Sequence, residues 1–239
     1  MPDGKRSPRQ TVILAAGNGQ RLGTLGQGLP KPLLQVGGRP LIEHALDQAV
    51  AAGCEEAIIV VGHQAEQLEE RLARIATPLR LRIAHNPNYH LPNGMSLLAA
   101  EPYVEERFFL QMADHVFKEP VLERLTDPAL DGAARLLVDH APRDLDEADA
   151  TKVRIREGLV TAIGKELSPY DAVDAGCFLL DRRVFDALHA VRGEAASVSA
   201  GMERLAAAQA LAPVRLEGVV WVDVDTPADW DRAEALLQR

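Results

Sequence analysis

Thr11–Leu34, TVILAAGNGQRLGTLGQGLPKPLL, opens with a short apolar, partly β-branched run, Thr11 to Ala16, that Gly17 closes. A run of this kind bounded by glycine predicts a buried strand leading into a glycine loop. Gly17 and Gly19 carry no Cβ, so the backbone there can approach a ligand closely and take positive φ. Successive N–H groups along Leu14, Ala15, Ala16, Gly17, Asn18 and Gly19 then form a concavity suited to an anion. Arg21 stands at the loop's exit, and Lys31 follows ten residues later between Pro30 and Pro32. Prolines on both sides restrict φ and disfavour helix, which predicts an ammonium presented from a stiff extended arm. Strand, glycine loop and two cations together describe a polyphosphate site.

Rival readings of the loop fail on particular residues. A dinucleotide fingerprint needs a third glycine where Leu22 stands, and an acidic residue about 20 positions on at the end of a second strand. A Walker loop needs Gly-Lys-Ser/Thr, whereas this lysine is flanked by prolines. A GxG turn alone is ordinary strand-end chemistry, but here four elements share one register.

Working outward, Leu41, Ile42, Ala45, Leu46, Ala49 and Val50 recur at helical spacing between Pro40 and Gly53, followed by a strand at Ala57–Val61. Ala65, Leu68, Leu72 and Ile75 mark a second helix and Leu79–Ala84 a further strand. Strands are also expected at Phe108–Ala113, Ala134–Val138, Ala172–Leu180 and Val219–Val224, with a hairpin from Thr151 to Ile163 turning at Glu157-Gly158. Helices are expected over Leu97–Tyr103, Arg182–Val191 and Val198–Ala210. This alternation predicts an α/β fold: a Rossmann-like, mostly parallel (mixed) sheet with helices on both faces, a three-layer sandwich with right-handed crossovers.

Residues 85–96, HNPNYHLPNGMS, form a loop by composition, at a strand end where open α/β sheets bind ligands. Ser96 either caps the next helix or meets a base. Asp114 ends a strongly apolar strand, where an uncompensated carboxylate is expensive to desolvate. It either caps a helix after the strand or faces a cation. In Asp225-Thr226-Pro227-Ala228-Asp229, Thr226 and Asp229 complete a capping box with Pro227 at the first helical position, which leaves Asp225 free for another task. Asp223 falls on the same side as Asp225 by strand alternation. Carboxylates from two strand ends above a phosphate loop offer the oxygen coordination that Mg²⁺ takes beside phosphates.

LAAGNGQRL followed by PKPLLQVGGRPLIEHAL resembles the opening of the sugar-phosphate nucleotidyltransferases, which join a nucleoside triphosphate to a phosphorylated acceptor with loss of pyrophosphate; it departs from them at Gln20, where Thr or Ser is usual. The segments NPNYHLPNGMSLLAAEPYVEERFFLQMADHVF, ATKVRIREGLVTAIGKEL, YDAVDAGCFLLDRRVF and WVDVDTPADW resemble, within that class, the CTP:inositol-1-phosphate cytidylyltransferases of di-inositol-phosphate synthesis, over nearly the whole chain from Thr11. The resemblance implies a nucleotide-diphospho-sugar transferase fold, with Asp114 and Asp225 as the Mg²⁺ ligands and Asp223 in reserve. It places Gly94 and Ser96 near the pyrimidine, and Lys165, Gly176 and Asp174 near the acceptor, with Lys152 assisting. Arg21 and Lys31 are the catalytic cations. The acceptor phosphate is already anionic, so His115 is expected to support the site rather than act as a base. In some relatives this domain is fused to a membrane-embedded CDP-alcohol transferase, which implies functional coupling to such an enzyme. The same reaction on phosphocholine or a hexose 1-phosphate is the alternative.

The 239 residues suffice for one well-buried domain, expected over 11–239 behind a loose polar tail at 1–10. A net charge of −9 argues against a nucleic-acid surface, and no apolar run approaches the ~18 residues of a membrane span. The tail has no apolar core that would make it a signal peptide. Cys54 and Cys177 stand in neither CxxC nor His-paired spacing, so a reducing, cytoplasmic location is expected.

Overall fold

The computed structural model describes residues 8–26, 28–127, 132–142, 146–191 and 195–238. In chain order the elements are β1 (Gln10–Leu14), β2 (Gln35–Val36), β3 (Arg39–Pro40), α1 (Leu41–Ala51), β4 (Glu56–Val61), α2 (Ala65–Leu72), β5 (Arg80–His85), α3 (Gly94–Ala100), β6 (Arg107–Met112), β7 (His115–Phe117), β8 (Ala134–Asp139), β9 (Lys152–Arg156), β10 (Leu159–Gly164), β11 (Ala172–Asp181), α4 (Arg183–His189), α5 (Val198–Ala207), β12 (Leu211–Arg215), β13 (Trp221–Asp223) and α6 (Pro227–Leu237). The main sheet runs β10-β9-β11-β6-β1-β4-β5, with β8 against β11 and β12 against β8. It is the expected mixed sheet. The β6-β1-β4-β5 part and the β8–β12 pair are parallel, whereas β11 runs antiparallel to β6, β8 and β9.

Alternation along β1 explains the layers. Val12 and Leu14 join a cluster holding Leu97 of α3, Phe185 of α4 and Met202 of α5; Ile13 and Ala15 join another with Ile42 and Leu46 of α1 and Leu68 of α2. Both faces of the strand are therefore covered, as a continuous apolar run requires. A third, smaller cluster of Leu22, Val36, Leu41, Val116, Val224, Ala233 and Leu236 fastens α6 and the glycine loop to the strand ends.

Several boundaries differ from expectation for identifiable reasons. Gln10 is already in β1 and buried, with its amide on Glu56 at 2.6 Å, so the tail ends earlier than residue 10; residues 1–7 lie outside the described set. The strand expected at Val219–Val224 shortens to Trp221–Asp223 and leaves the main sheet to pair with β7. β12, LAPVR, was hidden by Pro213; a proline is tolerated there because β12 pairs with β8 alone and needs its N–H groups on one side only. The hairpin turns at Glu157-Gly158 as expected, both residues at positive φ (53° and 79°).

The helix expected at Leu97 starts three residues earlier, at Gly94. A Cβ on Gly94 would lie 2.3 Å from the backbone oxygen of Ala196 and 3.0 Å from Leu188 Cδ2, so only glycine admits this approach between α3 and the entry to α5. Gly94→Ala is expected to destabilise the fold by about 1–3 kcal/mol, read as a lowered Tm. Gly164→Ala, whose Cβ would meet nothing within 4 Å, is the control and should leave Tm unchanged.

Candidate active site

The site lies at the carboxyl ends of β1 and β6. β1 delivers the glycine loop: Ala15 N–H still extends the ladder to Val60 O at 2.9 Å, and Ala16 O accepts from His63 N at 3.1 Å. Beyond that point, among the described residues, the amides of Ala16, Gly17, Asn18 and Gly19 have no protein acceptor. Four neighbouring unpaired donors are what an anion-binding loop offers. Of the two glycines only Gly19 takes positive φ, 59°, and a Cβ there would lie 2.9 Å from Lys31 Cβ. Gly19 thus lets the loop close over the lysine.

Lys31 is not on an extended arm. Pro30 is extended (φ −62°, ψ 138°), but Lys31–Leu33 then form one 3-10 turn, with Pro32 at a first-turn position where its missing N–H is no loss. The turn buries the side chain, and its ammonium donates to Asp114 Oδ2 at 2.5 Å and Asp225 Oδ1 at 2.6 Å. Burial alone would lower the lysine's pKa; the carboxylates of Asp114, Asp223 and Asp225 outweigh it and hold the ammonium charged well above its usual range. Asp225 is free for this contact because Thr226 and Asp229 form the capping box of α6 by themselves. Its second oxygen accepts from Arg21 Nη2 at 2.5 Å. Arg21 also pairs with Asp149, which in turn binds Lys165 Nζ.

Asp114 follows β6 in a turn and caps no helix. Its Oδ1 accepts from His115 Nδ1 at 2.9 Å, and the ring stacks on Trp221 with centroids 5.5 Å apart and planes 14° from parallel. Burial would raise the Asp114 pKa, but Lys31 and His115 hold it far below the carboxylate range. For His115, burial works against the charged form, and Asp223 and Asp114 overcome it, pushing the imidazole up to about 9. Asp223 is raised too, here by burial, to about 7, against the pull of His115.

β11 completes the floor. Its pairing with β6 begins only at Cys177, and its register with β8 slips between Asp174 and Phe178, where Gly176 sits at φ 71°. The bulge turns Asp174 into the cleft, and Asp174 Oδ1 accepts from Gly176 N at 2.7 Å. Burial pushes the Asp174 carboxyl up to about 6, partly offset by that N–H.

Arg21, Asp114, Lys165, Asp174, Gly176 and Asp225 share one cleft of about 1130 Å³. Of the other proposed contacts, the loop residues Leu14, Ala15, Ala16, Gly17, Asn18 and Gly19 do not line it, Lys31 reaches it only through Asp114 and Asp225, and Lys152, Gly94 and Ser96 are turned elsewhere. Lys152 is turned to Lys165 O at 2.7 Å and lies over the Tyr170 ring, bracing Lys165 from behind. Gly94 faces Ala196, and Ser96 neither caps α3 nor is free, since its buried hydroxyl accepts from Asn86 Nδ2 at 2.9 Å. Sequence reasoning missed Asp149, which stands among other acids in residues 144–149, and the stacking partner Trp221.

The carboxylates fit a hard divalent cation. Asp223 Oδ1 is buried without a hydrogen-bond partner among the described residues, and ligand atoms of Asp114, His115 and Asp223 lie within 4.8 Å of one another. Nδ1 of His115 is engaged on Asp114, and the carboxylate oxygens beside it are donors of the kind Mg²⁺ prefers.

Residues 11–194 match the family described as MobA-like NTP transferase domain. The chain belongs to that family. Similarity along the whole chain agrees: a bifunctional IPC transferase and DIPP synthase of Rubrobacter xylanophilus is 36% identical over 99% of this chain and 54% of its own length. A UTP–glucose-1-phosphate uridylyltransferase, AglF, of Haloferax volcanii is 30% identical over 96% of both. The chain spans about half the length of the IPC transferase/DIPP synthase relatives it matches. The inositol-1-phosphate CTP transferase of T. maritima superposes with a TM-score of 0.89 over 98% of this chain and 96% of its own, at 24% identity, which establishes the nucleotide-diphospho-sugar transferase fold. Nucleotidyl transfer, the class expected from Thr11–Leu34, is the chemistry of this NTP transferase family.

Proposed function

We propose that the chain transfers the cytidylyl group of CTP to inositol 1-phosphate, giving CDP-inositol and pyrophosphate. The observation that carries this reading is one cleft lined by Arg21, Lys165, Asp174, Gly176 and the carboxylates of Asp114 and Asp225, both of which bind the buried Lys31, beside a glycine loop whose amides are unpaired among the described residues. The similarity to proteins named IPC transferase and DIPP synthase, and to a structure named inositol-1-phosphate CTP transferase, supports cytidine and inositol as the substrates.

A phosphate oxygen of the acceptor attacks the α-phosphorus, the bond from that phosphorus to the β-phosphate oxygen breaks, and pyrophosphate leaves with the electron pair. The acceptor carries roughly −1.5 to −2 charge, so no protein nucleophile or base is needed. The loop amides bind the triphosphate, and Lys31 and Arg21 balance charge that grows as pyrophosphate departs. Lys165, anchored by Asp149, meets the acceptor phosphate, and the bulge at Gly176 turns Asp174 toward the acceptor side of the cleft. Asp114 and Asp225, with Asp223 beside them, would hold Mg²⁺, which would supply further charge neutralisation. No helix among the described residues is long and apolar enough to cross a membrane; we place the reaction in the cytoplasm, its product passing to a membrane CDP-alcohol transferase.

Competition assays of pyrophosphate release should show CTP preferred over UTP and inositol 1-phosphate over glucose 1-phosphate. A site that hydrogen-bonds the cytosine 4-amino group leaves buried groups unpaired against uracil, a discrimination that reaches about 10⁴-fold when fully desolvated. Faster turnover with UTP, glucose 1-phosphate or phosphocholine would overturn the substrate assignment and leave nucleotidyl transfer standing.

A further inference from the structure

We infer that His115 is a positioning residue, which holds the Asp114 carboxylate in the one rotation that presents Oδ2 beside Asp225, and that Gly176 is glycine so that the imidazole can stand there. This rests on Asp114 as a cation ligand.

Consecutive side chains of a strand point to opposite faces, so a contact between neighbours 114 and 115 needs a break in the strand. The turn at residues 113–114 provides it, bringing both side chains to one side. His115 Nδ1 then donates to Asp114 Oδ1 at 2.9 Å while the ammonium of Lys31 takes Oδ2 at 2.5 Å. With one oxygen held by the imidazole, the carboxylate cannot turn to present both oxygens or to swing toward Asp223, whose Oδ1 lies 3.7 Å from the same ring nitrogen.

The ring is itself fixed. His115 pairs with Asp223 across β7 and β13, and its plane lies 14° from that of Trp221, two residues before Asp223 on β13. Gly176 closes the remaining side: a Cβ at that position would lie 2.5 Å from both Cδ2 and Nε2 of the imidazole. No methyl group fits at such a distance, and the stacking on Trp221 removes the slack for the ring to retreat. The β11 bulge thus has a second consequence, distant in sequence from the DH pair, which is to reserve the volume that the histidine occupies.

The test measures Mn²⁺ alone, by electron paramagnetic resonance of the free ion, on the full chain and on Asp114→Ala, His115→Ala, His115→Asn and Gly176→Ala, each checked for folding by thermal unfolding. Partners that orient a metal ligand typically govern 10- to 100-fold in affinity. His115→Ala and Gly176→Ala should therefore each weaken Mn²⁺ binding by about 10- to 100-fold. Asparagine places an amide nitrogen where Nδ1 stood, so His115→Asn should recover most of the affinity, and in the two His115 variants kcat should follow affinity while the KM for inositol 1-phosphate stays put. Wild-type affinity in His115→Ala, or no recovery in His115→Asn, overturns the positioning role. If Asp114→Ala binds Mn²⁺ as the unsubstituted chain does, the metal reading itself fails and the inference falls with it, whereas a loss in Asp114→Ala with none in His115→Ala condemns the inference alone.

Discussion

Alanine at Asp114 or at Asp225 lowers kcat by at least about 10³-fold in a chain that stays folded. Neutralising charge between two phosphates is worth several kcal/mol, and each 1.36 kcal/mol is a factor of ten in rate. Both carboxylates hold the same buried ammonium, at 2.5 and 2.6 Å, so each single change also releases Lys31 from one anchor. For that reason the double variant should be little worse than either single one, since groups that share a partner do not add. Asp223→Ala, which removes a carboxylate without a hydrogen-bonded partner on Oδ1, is the milder control. Steady-state rates beside circular dichroism decide the matter, and full activity in a folded single variant removes that residue from the site.

Lys31→Ala has the next largest expected effect, a loss of about 10²–10³ in kcat, the range for removing one charge-stabilising donor, with a smaller rise in the KM for CTP. The ammonium is held on Asp114 and Asp225 and beneath the loop by Gly19, so it is placed in advance for charge that develops in the transition state. An unchanged kcat with only a raised KM would mean that it serves ground-state binding alone. Arginine should not rescue, because the larger head group must fit where Lys31 is already enclosed by the loop and two carboxylates.

Local pattern made much of this architecture readable. The β-α-β-α beginning follows from apolar spacing, and α6 follows from its capping box, which also freed Asp225 by elimination. The features that escaped were decided by distant partners. Ser96, read as a cap or a base contact, is neither free nor a cap because α3 begins at Gly94, where glycine is required by Ala196, about a hundred residues away. Lys31 sat beside two prolines that argue for extended chain, yet burial against three carboxylates favoured a compact turn. Asp149 gained its place through Arg21 and Lys165, neither of which lies near it in the chain. Side-chain destinations of this kind depend on the sheet order, which no local window encodes.

The mixed sheet has a consequence for heredity. Lys165, Asp174 and Gly176, the residues proposed to meet the acceptor, lie on β11 and the link that joins it to β10, one uninterrupted segment, while the triphosphate loop and Lys31 lie wholly before α1. A gene that exchanged only the stretch encoding residues 151–176 would import a new acceptor floor as a cassette and leave the nucleotide cradle untouched. The seam that such a graft must respect is where β11 first pairs with β6, at Cys177 opposite Gln111, and along it a lineage can trade one phosphorylated alcohol for another without relearning how to hold a nucleotide.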